Sequence, residues 1–537
     1  MRRLIGSTLA LALLSAKGLA VHVEIGSAAG AVDPRFVSFV IDPASLMMDP
    51  PGVYSKYPYP CDMTNELLIK YAAALSPAYF HVNGGNSNCI TYDGFDIKTA
   101  QRRPATSQEP RYLSEYCRDH DYYGSMTPLL FSQILEFSVA VKADFVWHLN
   151  MVFGRGYTNE TGGEYVPWNA SLAAGLIQAA AEYSKPIAGA ILFEEVKESK
   201  LGFIPTSENL ASDLAILKNT LGAATKDGHP PLLFGVLNQD SDQDLSETDA
   251  TYGASAAAVD VVEFSFYGNN AQDGGPVDCP YNPTETATLI TSSAFRATLD
   301  ANAQHYVRLS GDLGKGPPHL VAAAPCTHAP EGTGWGAVNA HAGLLWYADA
   351  LGRSAAAGVA VFSRQTLFGG DYGLLDNSTY LPVPGYWVAV LHTRMFGPTV
   401  LSVAASSIMG SKEMSQGGDD NDDVVAYGHC AVGSEAEEGD VALAMVNFDS
   451  VAMDVELPEH ASRTAWVLEG SDRDAPLLSL ETLLNGEPVD KSDSSGDGGL
   501  PPLPGHPSSG AEPLRLPPHS AAYILLRGTA AGAAACS

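Results

Sequence analysis

The sequence predicts an α/β chain, a (β/α)8 TIM barrel followed by a C-terminal antiparallel β-sandwich. Two observations carry this. Eight short apolar runs alternate with segments of helical period across residues 35–393, the pattern of strands and crossover helices in a closed parallel sheet. From residue 394 onward the helical segments stop, and short runs separated by turns take over, as in an antiparallel sandwich.

The first strand is read at residues 36–41, an apolar run bounded by Pro34 and Pro43. A helical pattern at 65–75 leads to a strand at 79–82 that stops at Asn83-Gly84-Gly85-Asn86. Helices at 129–141, 172–183 and 210–221 each precede a strand, at 145–149, 188–193 and 232–237. Strand six is read at 261–267 and strand seven at 305–310, with a helix near Ala294 between them. A helix at 335–351 leads to the last strand at 358–362. The stretch 313–334, beyond the seventh run, is expected to hang over the active face. The sandwich strands are read at 399–405, 424–431, 441–447, 451–457, 464–468 and 521–526, with loops at 417–423 and 491–511.

Residues 1–20 read as a secretory signal peptide: Arg2 and Arg3, an apolar stretch, then Gly18-Leu19-Ala20. No later segment has the eighteen or so clean apolar residues of a membrane span. Sequons at Asn159, Asn169 and Asn377 fit a secreted glycoprotein. The expected location is the secretory pathway, with an extracellular, lysosomal or vacuolar, or membrane-associated destination. Sixty-one acidic against 30 basic residues give a formal charge of -31. That field repels nucleic acid and highly sulfated glycans at long range. It leaves room for peripheral association with a cell surface. The seven cysteines form no CxxC pair and no metal-type cluster, so no structural metal is expected.

In a barrel of this kind chemistry sits where the strands end. The fourth run ends at Glu194-Glu195. Side-chain alternation puts Phe193 and Glu195 on one side, which favours Glu195 as an acid/base. The alternative is a solvated pair balanced by Lys185, Lys197 and Lys200. The seventh run ends at Ser310-Gly311-Asp312, which makes Asp312 the candidate nucleophile, or else a turn residue. Glu331 is the runner-up. Two carboxylates across one face are what glycoside hydrolysis requires. Asn83 and Gly84 suit close approach of a sugar, and Asn150 and Arg155 suit hydrogen bonds to hydroxyls. Tyr372, beside Gly373 in the loop after the last strand, suits a sugar ring or a carboxylate.

Several segments together resemble the heparanase-like β-glucuronidases, a retaining glycoside hydrolase family. The longest is Ser363-Arg364-Gln365-Thr366-Leu367-Phe368-Gly369-Gly370-Asp371-Tyr372-Gly373-Leu374-Leu375-Asp376, followed by Pro382-Val383-Pro384-Gly385-Tyr386-Trp387. His148-Leu149-Asn150 with Gly154-Arg155, Trp168-Asn169 and Val82-Asn83-Gly84-Gly85 add to it, as do His429-Cys430 and the terminal Ala535-Cys536. The resemblance implies that residues 21–34 join the sandwich, that Cys430 pairs with Cys536, and that no cofactor is needed. It implies a glucuronic-acid-containing polysaccharide or proteoglycan as the partner. Glu194 stands where the family's asparagine contacts the sugar. The nucleophile glutamate falls on glycine or on Asp312, and the histidines near strand six fall on Phe264 and Ser265. The expectation is therefore a glycosidase acting on uronic-acid glycans, with a catalytically impaired glycan-binding or structural relative as the alternative.

Overall fold

The computed structural model describes residues 20–47, 61–84, 87–88, 90–92, 124–151, 165–183, 187–192, 206–225, 230–236, 255–267, 280, 282–326, 336–370, 372–407 and 423–536. Eight parallel strands close a barrel in the order Val37–Ile41, Ala78–Val82, Ala143–His148, Gly189–Ile191, Leu232–Val236, Val261–Tyr267, His319–Ala324 and Val361–Arg364. They are called strands one to eight here. Both faces of such strands are covered, so they read as continuous apolar runs. Phe39, Phe80, Phe145, Trp147, Phe264 and Phe362 point outward into the main core beneath the helices. Tyr79, Val146, Ile191, Phe234 and Val361 fill one layer of the interior. Val40, Val321 and Ala322 pack with Tyr267 in another.

Local sequence sets the helix starts. The Asn65 side chain caps Glu66–Ala73, and Thr127 caps Pro128–Ala140 with proline in the first turn. Thr206 and Asn209 form a reciprocal capping box on Ser207–Ala224. Each cap satisfies a backbone N–H that has no partner within its helix. The helix His341–Ala357 stops at Gly358, whose φ of 95° suits glycine.

Strand seven is a correction to the sequence reading. Residues 305–310 lie inside the helix Ser293–Asp312, whose buried positions are Phe295, Arg296, Leu299, Ala303, Tyr306 and Ser310. That spacing follows the helical period, although His305 to Leu309 looks like a strand when read alone. The true strand is His319–Ala324. Its three alanines have low β-propensity, which hid it.

Apart from a two-stranded pair, Ile90–Thr91 with Gly124–Ser125, the other strands described form one eleven-stranded sheet. The N-terminal strand Ala20–Ala31 pairs antiparallel with Phe396–Ser407 and parallel with Met453–Glu456. The sheet is therefore mixed. Along Val441–Asn447 and Ser520–Arg527 the faces alternate strictly. Ala442, Ala444, Val446, Tyr523 and Leu525 turn to the barrel-side core. Leu443, Met445, Ile524 and Leu526 meet Val21, Val23, Val455, Leu514 and Leu516 in a second core, so the sheet curls over on itself. Cys430 and Cys536 are bonded, with Cα atoms 5.2 Å apart. Cys61 is a buried free thiol, and Cys326 is disulfide-bonded.

The barrel and the sheet meet at Asp349, which is 1% exposed. Its Oδ2 accepts from Arg296 Nη1 at 3.2 Å and Arg353 Nε at 2.8 Å. Its Oδ1 accepts from the Tyr427 hydroxyl of the sheet at 2.5 Å. Arg296 also lies 3.8 Å over the Phe448 ring. Gly352 permits the approach, because a Cβ there would land inside the Tyr427 ring. Removing one partner of a buried ionic cluster leaves the others uncompensated. Asp349→Ala should therefore destabilise the folded chain by about 3–5 kcal/mol. Chemical denaturation measures this, and a loss typical of a surface site would contradict it.

Candidate active site

The C-terminal ends of the barrel strands define the mouth, and strand one ends there beside Asp42. Gly84, at the end of strand two, has a φ of 148°, and a Cβ on it would collide with Asp42 Oδ2. This glycine therefore serves the close approach of the first two strand ends. Asn83 is fully buried, and its Oδ1 accepts from His148 Nδ1 at 2.7 Å. The pair ties strand two to strand three.

Asn150 lies just past strand three and is 1% exposed. Its amide donates to the carbonyls of Asn88 and Ile90, both at 2.9 Å. Its backbone N–H donates to the Tyr92 hydroxyl at 2.6 Å, and its carbonyl accepts from Trp168 Nε1 at 3.0 Å. Both amide donor bonds thus hold the loop after strand two in place, which makes Asn150 a builder of the mouth wall.

Strand four is described as far as Leu192. Glu194, Glu195 and Arg155 lie outside the described residues, as does Glu331. Ile191 faces the barrel interior.

Strand seven brings no carboxylate to the mouth. It carries a bulge at Ala322, with a φ of 60° and a register shift between Leu320 and Ala323. Val321 and Ala322 both turn inward because of it. Ala324 then pairs with Tyr267 at the end of strand six, and Pro325 and Cys326 follow. Asp312 is exposed and closes the helix that precedes strand seven. Helices of a βαβ unit run antiparallel to the strands, so this helix end lies at the opposite face of the barrel from the mouth. The placement of Asp312 at the strand end is thereby corrected. The run 305–310 that seemed to deliver it is helical.

The loop after strand eight is held from below. Gly369 and Gly370 have φ values of 93° and 71°. Asn377 accepts from Gly369 N–H and donates to the Gly370 carbonyl, each at 2.9 Å. Asn377 is 5% exposed, so its side-chain nitrogen is committed to the loop and does not suit a glycan acceptor. Asn169 is exposed, and Asn159 lies outside the described residues. Leu374 and Leu375 N–H groups pair back to the Thr366 and Leu367 carbonyls. This sets Tyr372 and Gly373 at the turn, with Tyr372 partly exposed.

Sequence reasoning gave no role to Arg364, although an arginine inside an apolar strand is a signal in itself. It is 2% exposed, and burial brings its pKa down to about 10. Deeper in the barrel, His81 Nδ1 lies 4.0 Å from Glu263 Oε1, both fully buried. No cluster among the described residues suits a metal ion.

Burial lowers the pKa of His81 to about 3, and those of His319, His341 and His429 to about 4. Each is neutral when folded, whereas in the unfolded chain it binds a proton below a pKa of about 6.5. Stability is thus unaffected by these groups above that pH and falls as the pH drops toward 4. Each contributes up to about 1.4 kcal/mol per pH unit in that window. Thermal unfolding followed from pH 7 to pH 4.5 should show a steady fall in Tm. A flat profile would contradict the burial of these imidazoles.

No family model matches the chain. Among curated proteins, it is 32% identical to heparanase of Bos taurus over 201 residues, 36% of this chain and 33% of that protein. It is 31% identical to baicalin-beta-D-glucuronidase of Scutellaria baicalensis over 188 residues, 34% of this chain and 32% of that protein. With heparanase-like protein 3 of Arabidopsis thaliana the match is 23% over 500 residues, 87% of this chain and 84% of that protein. The first match spans about a third of the relative's length. Among solved structures, a GH51 arabinofuranosidase from Xanthomonas axonopodis pv. citri superposes with a TM-score of 0.60 at 12% identity, covering 95% of this chain and all (100%) of that one. That likeness shows the fold. The sequence matches make the chain a distant homologue of heparanase-type proteins.

Proposed function

We propose that the barrel mouth binds a glucuronic-acid-containing glycan and does not hydrolyse it by the retaining route. The observation that carries this is the end of strand seven. Val321, Ala322 and Ala324 stand at and below the mouth there, and Asp312 sits at the other end of the barrel. A retaining glycosidase needs its acid and its nucleophile about 5–5.5 Å apart across one face. A covalent glycosyl intermediate needs a second carboxylate at the mouth, and the described end of strand seven supplies none. The wall that would cradle a sugar is nonetheless built: Asn83 against His148, Asn150 under its loop, and Tyr372 with Gly373 on the turn after strand eight. The choice of a uronic acid rests on the relatives, one of which is named for a glucuronide. The Cys430–Cys536 bond fits an oxidising compartment, in keeping with secretion. Among the described residues, no helix is long and apolar enough to cross a membrane.

A second reading keeps hydrolysis, with Glu195 as acid/base and Glu331 as nucleophile. The Glu194-Glu195 pair that follows strand four in the sequence, and the likeness to glucuronidase-type relatives, favour it.

Calorimetric titration with a glucuronic-acid-containing oligosaccharide, alongside an assay for released reducing ends, separates the two. The expected outcome is binding in the micromolar-to-millimolar range without release, weakened by roughly tenfold or more in Tyr372→Ala, the scale of one lost hydrogen bond to a charged group. Release that falls roughly 10²–10⁴-fold in Glu195→Gln would establish the second reading instead. Absence of binding would defeat both.

A further inference from the structure

We propose that Arg364 is a positioning residue that fixes Tyr372 across the mouth and biases the site toward a carboxylate-bearing sugar. This rests on the glycan-binding reading above and deepens it.

The guanidinium joins three segments that form one side of the mouth. Nη1 donates to the carbonyl of Ala323 in strand seven at 2.8 Å and to that of Gln365, just past strand eight, at 2.7 Å. Nη2 donates to the carbonyl of Tyr372 at 3.1 Å. A planar fork spans such a set in a way that a lysine ammonium does not. The place of Tyr372 is thus set through its own backbone, by a cation anchored to the two neighbouring strands.

The second part concerns charge. No carboxylate pairs with Arg364 among the described residues. Its other neighbours are aromatic, with the guanidinium 5.3 Å from the Trp346 ring centroid and 5.6 Å from that of Tyr347. At a pKa near 10 it stays protonated at neutral pH. Tyr372 and Tyr267, which reach the mouth from strands eight and six, both lie within its electrostatic reach. In a low-dielectric surrounding the field of a buried cation, here with no carboxylate partner among the described residues, is screened far less than that of a surface lysine. A chain with a formal charge of -31 repels an acidic sugar at long range. A fixed cation behind the mouth offsets that repulsion locally, and does nothing for a neutral sugar.

The test uses the full chain as wild type, Arg364→Met and Arg364→Lys. Each is titrated with a glucuronic-acid-containing oligosaccharide and with its carboxyl-reduced counterpart, and hydrogen exchange is followed over residues 370–374. Wild type should prefer the acid. Arg364→Met should lose that preference, with the acid weakened roughly tenfold more than the reduced sugar. Exchange in 370–374 should rise while the barrel strands stay protected. Arg364→Lys should keep the preference for the acid yet exchange faster, because it keeps the charge and loses the fork. It carries the test alone if the methionine variant does not fold. Equal weakening of both sugars in Arg364→Met, or loss of the acid preference in Arg364→Lys, would overturn the electrostatic role. Unchanged exchange at 370–374 would overturn the positioning role, and it reads this even if no sugar binds. Absence of wild-type binding to either sugar would defeat the glycan-binding reading and the selectivity with it.

Discussion

The barrel closes through its alanine-rich seventh strand. Strand seven pairs with strand six on one side and strand eight on the other, and without it the sheet has two open edges. Its bulge at Ala322 turns two consecutive side chains inward, and Val321 and Ala322 pack there against Val40 and Tyr267. A larger residue at Ala322 would combine an unfavourable positive φ with a clash in this layer. The same small side chains leave the strand without a charged group at the mouth. Closure of the fold and the lack of a carboxylate on this strand thus have one source, the run Ala322-Ala323-Ala324.

The outer structure is tied to this barrel through the helices flanking strand seven. Ser293–Asp312 and His341–Ala357 carry Arg296, Arg353 and Asp349, and the sheet supplies Tyr427 and Phe448. Ala442, Ala444, Val446, Tyr523 and Leu525 belong to the same core as these helices. The sheet therefore braces the helices that hold strand seven, while its other face is occupied by its own curled end. The N-terminal strand Ala20–Ala31 lies in that curl, so the first and last parts of the described chain complete one sheet. On the side of the helix His341–Ala357, Arg364 takes the carbonyl of Ala323 and passes the constraint to the loop bearing Tyr372.

The architecture was legible where side chains are β-branched or aromatic. Runs such as Phe36 to Ile41 and Val261 to Tyr267 sit between turn residues and stand out in the sequence. Strand seven was illegible because alanine says helix or loop, and because the helix before it contains a short, mostly apolar stretch with strand-forming Tyr306 and Val307, His305 to Leu309. Only the wider spacing of Phe295, Leu299, Ala303, Tyr306 and Ser310 reveals the helical period. The mouth was legible in outline. Asn83, Gly84, Asn150, Tyr372 and Gly373 stand at strand ends, but the sequence does not say where a donor is spent. Asn150 turns out to hold carbonyls of the loop after strand two, and Asn377 holds a glycine turn. Arg364 lay in plain view inside the longest family-like segment, with nothing in the linear order to show that its three acceptors converge.

The central claim is that no residue forms a covalent bond to the sugar at this mouth. Intact-mass spectrometry after incubation with an activated 2-fluoro glucuronide tests it most directly. The reagent traps the glycosyl-enzyme of a retaining enzyme by slowing its hydrolysis. The account predicts an unchanged mass under conditions in which the unactivated glucuronide binds. A stable adduct of one glycosyl unit, mapped to Glu331 or to any other carboxylate, would contradict it.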